Sequence, residues 1–254
     1  MEIANVYGKI SNRYHERAKL NFYNAELEYP SMLRILEKLE LSNKKILDLG
    51  CGSGRYTKIL LSKGANVWGI DPSEKMLGIA RKENRDVIFK KGWASKIPFK
   101  SNFFDIAIAS LCLDHERDIE KAFKEVNRVL KKRGIFLFSR NNPITEVAEN
   151  VKGNHHTFNN YFREGKRKKY FPSFKVNMPY YHITLETLIK AIIMNGFVIE
   201  NYIDVKPNPS SKSKFPNEYE STINKPYFCI FKIRKTKFIS SGISEKLINQ
   251  KLKL

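Results

Sequence analysis

Apolar positions in this chain fall into two rhythms. Five short runs, "KKILDL", "NVWGID", "DVIFKKG", "FFDIAIAS" and "IFLFSR", are dense in apolar and β-branched residues, as strands buried on both faces are. Elsewhere apolar residues return every three or four places, which predicts helices with one buried stripe. Ser31 is the expected N-cap of a helix carrying Met32, Leu33, Ile35, Leu36 and Leu39. A second helix should run from Tyr56 to a terminator at Gly64, and a third should open at Pro72 and Ser73. Residues 116–131 place Ile119, Ala122, Phe123, Val126, Val129 and Leu130 on one helical face, closing in Lys131, Lys132 and Arg133 before Gly134. Alternating strands and helices predict an α/β fold: a parallel, doubly wound sheet covered on both faces, with ligands beyond the carboxyl ends of its strands.

After residue 140 the pattern lapses until Thr184, where "TLETLIKAIIMNG" predicts a capped helix, followed by the strands "FVIENYID" and "PYFCIFKIRK", antiparallel to each other. The stretch 141–183, aromatic and basic, is expected as an insertion on the ligand edge. From Thr236 a basic tail, 236–254, carries one weakly amphipathic helix, Ile243 to Leu252.

The stretch "ILDLGCGSGRYT" carries the candidate chemistry. An apolar strand ends near Asp48, then glycines stand at alternate positions, Gly50, Gly52 and Gly54. Such a cluster costs backbone entropy, so it predicts a turn where main chain passes close to a ligand. The spacing departs from G-x-G-x-x-G, because Arg55 stands where that pattern wants its last glycine, which argues against a dinucleotide. With Asp71 closing the next strand, the turn suits a ligand with a ribose and no pyrophosphate, and S-adenosylmethionine is the candidate.

These motifs, with "VWGIDPSEKML", "FDIAIASLCLDH" and "EVNRVLKKRGIFLFS" in order and spacing, resemble the class I S-adenosylmethionine-dependent methyltransferases. The resemblance implies a Rossmann-like, doubly wound, seven-stranded sheet, mostly parallel with an antiparallel last strand. It implies a methyltransferase domain at 41–235, preceded by a helical arm or lid at 1–40. Gly50 and Gly52 would lie against the methionine portion, Asp48 would offer charge to its ammonium, and Asp71 would accept both ribose hydroxyls. Ser73 and Met76 would flank the adenosine, with Met76 against the adenine face, and Ser110 joins the expected cofactor contacts. Relatives commonly carry an aspartate near the end of the third strand, where this chain has Trp93, whose indole cannot accept from the adenine amine. Stacking by Trp93 and donation from the Ala94 N–H are the expected substitutes. Tyr14, Asn21 and Tyr23 would belong to the lid that folds over the cofactor, with Tyr14 and Tyr23 among the cofactor contacts. Relatives often show Glu-Arg-Pro where this chain has Glu28, Tyr29 and Pro30.

Methyl transfer from a sulfonium needs chiefly alignment and sometimes a base. Candidate bases are Asp114, His115, His155, His156 and His182; His115 and His182 are taken as the catalytic pair of candidates, and His182 as the more direct substrate contact. Cys112 reads as buried packing rather than as a nucleophile. No Asn-Pro-Pro-aromatic turn follows the fourth strand, which disfavours adenine-amine methylation.

Composition changes this picture at one point. The formal charge is +20, from 46 Lys and Arg against 26 Asp and Glu. Together with "YFREGKRKKYFPSF" it keeps RNA open as an alternative acceptor, since cations track phosphate and rings stack on bases. The single insertion and the lid-like arm favour a small-molecule substrate. A methyltransferase-like subunit without catalysis is the other alternative, resting on Trp93. Three scattered cysteines predict free thiols and no metal cluster, and the absence of a membrane-length apolar run or a secretory pattern leads to a cytoplasmic expectation.

Overall fold

The computed structural model describes residues 2–18, 20–150, 156–158 and 160–236. In chain order the elements are α1 (Glu2–Arg17), a π-helical turn (Tyr23–Glu28), α2 (Tyr29–Leu36), β1 (Lys45–Leu49), α3 (Arg55–Ser62), β2 (Asn66–Asp71), α4 (Glu74–Glu83), β3 (Ile88–Lys91) and β4 (Phe104–Ser110). Then come α5 (Ile119–Val129), β5 (Leu130–Asn141), β6 (Ala148–Asn150), β7 (His156–Phe158), β8 (Gly165–Phe171), β9 (Val176–His182), α6 (Leu185–Met194), β10 (Phe197–Asp204), α7 (Pro216–Ile223) and β11 (Phe228–Lys235).

Seven strands form one sheet in the order β10-β11-β5-β4-β1-β2-β3. β11 runs antiparallel to both its neighbours, and the other pairings are parallel, as expected. Alternation along the strands sends side chains to two cores. Leu47, Leu49, Ala107 and Phe138 join α5 and α6 on one face, whereas Ile46, Ile108 and Leu137 join α2 and α3 on the other. From β1 the chain steps outward through β2 to β3, then returns to β4 on the other side of β1. A crevice opens at such a reversal, beyond the strands' carboxyl ends.

Several boundaries differ from expectation. Ser31 caps nothing: the π-helical turn feeds directly into α2, and buried Ser31 accepts from the Arg34 guanidinium at 3.0 Å. The helix expected over 116–131 starts only after Asp118, whose carboxylate accepts from the Lys121 N–H at 2.9 Å, and it ends at Val129. Leu130–Arg133 already belong to β5, with Arg133 in the left-handed region at φ 63°. The insertion forms two hairpins, β6-β7 and β8-β9, and the loop expected between the closing strands carries α7. Thr184 caps α6 as expected, whereas α4 opens after Pro72 and Ser73, with Ser73 as its cap. The predicted helix Ile243 to Leu252 lies outside the described residues. Among the described residues, no helix is long and apolar enough to cross a membrane.

Candidate active site

Two adjoining cavities sit above the crevice. The first is bounded by the turn after β1, the end of β2, the start of α4, the segment after β3 and the end of β4. The second is walled by α1, the loop after α1, the β8-β9 hairpin and the start of β11. They enclose about 670 and 1050 Å³ of empty space, mouths included, and share Tyr7, Tyr14, Leu111 and His115.

Glycine is required at the turn for two reasons. Gly50 and Gly52 have φ of 68° and 54°. A Cβ on Gly50 would come within 2.5 Å of the Cys112 Cβ, and one on Gly52 within 3.3 Å of the Met76 Cε. Gly50 is thus bare partly because Cys112 packs there, a reason the sequence did not reveal. Asp71 accepts from the Gly52 N–H at 3.0 Å and the Ser73 N–H at 2.8 Å, fastening the turn to the start of α4. Burial pushes its carboxyl up to about 6, against the pull of those two hydrogen bonds.

Asp71, Ser73, Met76, Trp93, Ala94 and Ser110 all line the first cavity beside Gly50 and Gly52. The donors of Ala94 and Ser110 are already spent within the protein. The Ala94 N–H donates to Glu116 at 2.7 Å, so the donor assigned to adenine is spent. Ser110 donates to Glu28 at 2.8 Å. Asp48 lies behind the cavity, not on it: it is buried and accepts from the Thr57 hydroxyl at 2.6 Å, and burial pushes its carboxyl up to about 7. Any effect of Asp48 on a bound cation acts through the turn. Trp93 also packs against Ile3, Ile10, Phe174 and Met178, the cluster that seats α1 as a roof.

Tyr14 faces both cavities, whereas Tyr23 and Asn21 border only the second, where the Tyr23 ring lies 4.6 Å from that of Tyr227. Tyr23 therefore lies on the second cavity and away from the first, where the other expected cofactor contacts gather. His115 stands where the cavities meet. Its Nδ1 is 2.8 Å from the Pro179 carbonyl, which only accepts, so Nδ1 carries the hydrogen and Nε2 keeps its lone pair, 3.5 Å from the Tyr7 hydroxyl. Burial holds its pKa below the usual histidine value, so the ring is a neutral base at physiological pH.

His182 is the main correction. It is fully enclosed and borders neither cavity; Nε2 donates to the Tyr161 carbonyl at 2.7 Å, and Nδ1 contacts Glu146. With both ring nitrogens engaged it cannot touch a substrate. His155 lies outside the described residues, and of His156 only its place at the start of β7 is described. Asp114 is held in a buried ion pair with Arg140, 3.0 Å apart. Cys112 packs as expected, its thiol pushed well above the usual range by burial. All three cysteines are free, and no metal-holding cluster occurs among the described residues.

The sequence reading missed Tyr7, Glu116 and Glu146, and it named Glu28 only by its place in a motif of relatives, with no role. Glu28 is buried and takes hydrogen bonds from Tyr56 at 2.9 Å, Ser110 at 2.8 Å and Ser139 at 2.6 Å. A glutamate between aromatic and apolar residues was the available signal, but its partners are up to 111 residues away. Beside it in sequence, the Tyr29 ring lies 3.7 Å from the Arg55 guanidinium.

The sheet order, the glycine turn and the acid closing β2 are those of a class I S-adenosylmethionine-dependent methyltransferase domain. Residues 47–138 match the family described as "Methyltransferase domain". The crystal structure of an S-adenosylmethionine dependent methyltransferase from Mesorhizobium loti superposes with a TM-score of 0.73 at 29% identity, covering 82% of this chain and 97% of that one. A malonyl-[acyl-carrier protein] O-methyltransferase of Legionella pneumophila is 31% identical over 57% of this chain and 51% of its own length. A ubiquinone/menaquinone biosynthesis C-methyltransferase of Campylobacter jejuni is 26% identical over 60% of this chain and 66% of its own.

The residues present fit the cofactor of that class. Each oxygen of Asp71 accepts one backbone hydrogen and keeps a lone pair for a diol. The missing Cβ at Gly52 keeps open the gap between the turn and Met76.

Proposed function

We propose that this protein transfers a methyl group from S-adenosylmethionine to a small, largely apolar acceptor held in the second cavity. The observation that carries this reading is the shared wall: Tyr7, Tyr14, Leu111 and His115 border both cavities, so the two contents meet there. The backbone at Gly50 and Gly52, with Asp71, would hold the cofactor, which when bound supplies a methyl carbon already activated by positive sulfur. Alignment then contributes most of the acceleration. His115, neutral and with Nε2 free of hydrogen, takes the acceptor's proton where the acceptor has one to lose. Helix α1, seated over the first cavity by Ile3 and Ile10, excludes water.

The lining of the second cavity supports a small acceptor. It is dominated by aromatic side chains such as Phe171, Phe174, Tyr227 and Phe228, as pockets for compact organic molecules are. The activities named for the Legionella and Campylobacter relatives point the same way.

The test is incubation with methyl-labelled cofactor and separated small-molecule and RNA fractions from cells. Label in a small, extractable compound is the expected result. Label confined to RNA would reassign the acceptor and give the exposed cations of β8, Lys166 to Lys169, the role of a phosphate track.

A further inference from the structure

We infer that Glu146 is the polar anchor for the acceptor: its Oε2 takes a hydrogen from an O–H or N–H group on a neutral, otherwise apolar molecule seated in the second cavity. The inference rests on the small-molecule reading above. Glu146 stands in the 3₁₀ turn Thr145–Val147 and borders that cavity with Asn141, Tyr180 and Phe228. Its side chain is only 4% exposed. One oxygen, Oε1, contacts Nδ1 of His182; the other, Oε2, is buried and has no hydrogen-bond partner among the described residues. A buried acceptor left unpaired costs roughly 1–3 kcal/mol. Oε2 is closed to water in this arrangement, but Glu146 lines the cavity, so a donor seated there reaches the oxygen by a small shift of its side chain and removes that cost.

Proton placement identifies the kind of donor. Nε2 of His182 must carry hydrogen, since the Tyr161 carbonyl cannot donate. Two lone pairs would repel across the Nδ1 to Oε1 contact, so one proton lies between them. Whether that proton sits on nitrogen or oxygen, the pair is neutral and Oε2 remains purely an acceptor. The neighbouring carboxylate, Asp114, is cancelled by buried Arg140. Lys169, at the cavity, donates to the Tyr227 hydroxyl at 2.9 Å. An ammonium would therefore find carboxylates already neutralised, and an anion, drawn to Lys169, would bring no hydrogen for Oε2. A neutral O–H or N–H fits both. His182 is then a positioning residue, holding Glu146 from behind.

The test uses the full chain and three fluorescent probes: 2-naphthol, its methyl ether, and 2-naphthylmethylammonium. Each is titrated with and without S-adenosylmethionine. Wild type should bind naphthol about tenfold more tightly than the ether, the worth of one hydrogen bond to a buried acceptor, and the ammonium no more tightly than the ether. Glu146→Leu should lose the preference. Glu146→Gln should keep it, because the amide can donate to His182 Nδ1 while its oxygen faces the cavity. A naphthol preference undiminished in Glu146→Leu, tightest binding of the ammonium, or equal affinity for naphthol and ether in wild type overturns the anchor. The last comparison decides the matter even if the leucine variant fails to fold. Calorimetry with S-adenosylmethionine is read separately: loss of cofactor binding in wild type refutes the proposed function, while the naphthol series still reports on Glu146.

Discussion

The two cavities are built by different means. The first is made by short segments that follow β1, β2, β3 and β4, and its most constrained features are main chain: left-handed glycines and amides held by Asp71. The second is assembled from side chains that converge from α1, residues 141–146, the β8-β9 hairpin and β11. A site made of backbone tolerates little change, because any added atom meets a neighbour. A site made of side chains can be remodelled one residue at a time. That contrast suits a cofactor common to a family beside an acceptor particular to each member.

Gly50→Ala should give the largest effect. The new Cβ would meet Cys112 at 2.5 Å in a backbone held at φ 68°, and a left-handed β-carbon alone costs about 1–2 kcal/mol. Together with forced overpacking of about 1–3 kcal/mol, S-adenosylmethionine affinity should fall by about a hundredfold or more in calorimetry. Adding Cys112→Gly should recover part of it, and no recovery would mean that the clash is not the cause.

His115→Gln comes next and crosses the shared wall. Turnover should drop about a hundredfold, the usual worth of a positioned base, while cofactor affinity changes little. Because burial lowers the pKa of His115, the acid limb of the wild-type rate profile should lie below pH 6.5. A limb above that pH would show that another group titrates.

The contrast also explains what the sequence revealed. Strands, the glycine turn, the start of α4 and the cap Thr184 depend on neighbours a few residues away, so local patterning exposes them. Ser31 misled because its small polar side chain also fits inside a helix, where it accepts from Arg34. The class of cofactor followed from Gly50, Gly52 and Asp71 for the same local reason. Glu146 and Glu28 were hidden because their meaning lies in partners 36 and 111 residues off. His182 was noticed for its position before a capped helix, but only the fold shows that it faces Glu146 and not a ligand.

Glu28 supports the first cavity from outside, since its carboxylate collects hydroxyls from α3, β4 and β5 and one of the donors, Ser110, lines that cavity. Glu28→Leu leaves the buried Tyr56 and Ser139 hydroxyls and the half-buried Ser110 hydroxyl without that acceptor and should cost about 2–4 kcal/mol in chemical denaturation. Glu28→Gln should cost less, because its amide oxygen still accepts. Equal losses would show that packing, and not hydrogen bonding, is what the site needs.

Asp48 carries the smallest expected effect and tests whether charge behind the turn matters. Its carboxyl is raised by burial from 3.8 to about 7, so the native state holds a proton that the unfolded chain has released. Its contribution to stability is therefore full below about pH 4 and is lost as pH rises to about 7. Asp48→Asn, which still accepts from Thr57, removes that titration. Between pH 5 and pH 7.5 the wild type should lose more stability than the variant, by on the order of 2–3 kcal/mol in urea denaturation. Equal slopes would mean that Asp48 stays ionised when buried, and the turn would then sit over a standing negative charge. In that case S-adenosylmethionine affinity, which carries positive sulfur to the same turn, should fall in Asp48→Asn at neutral pH, whereas a protonated Asp48 predicts almost no change.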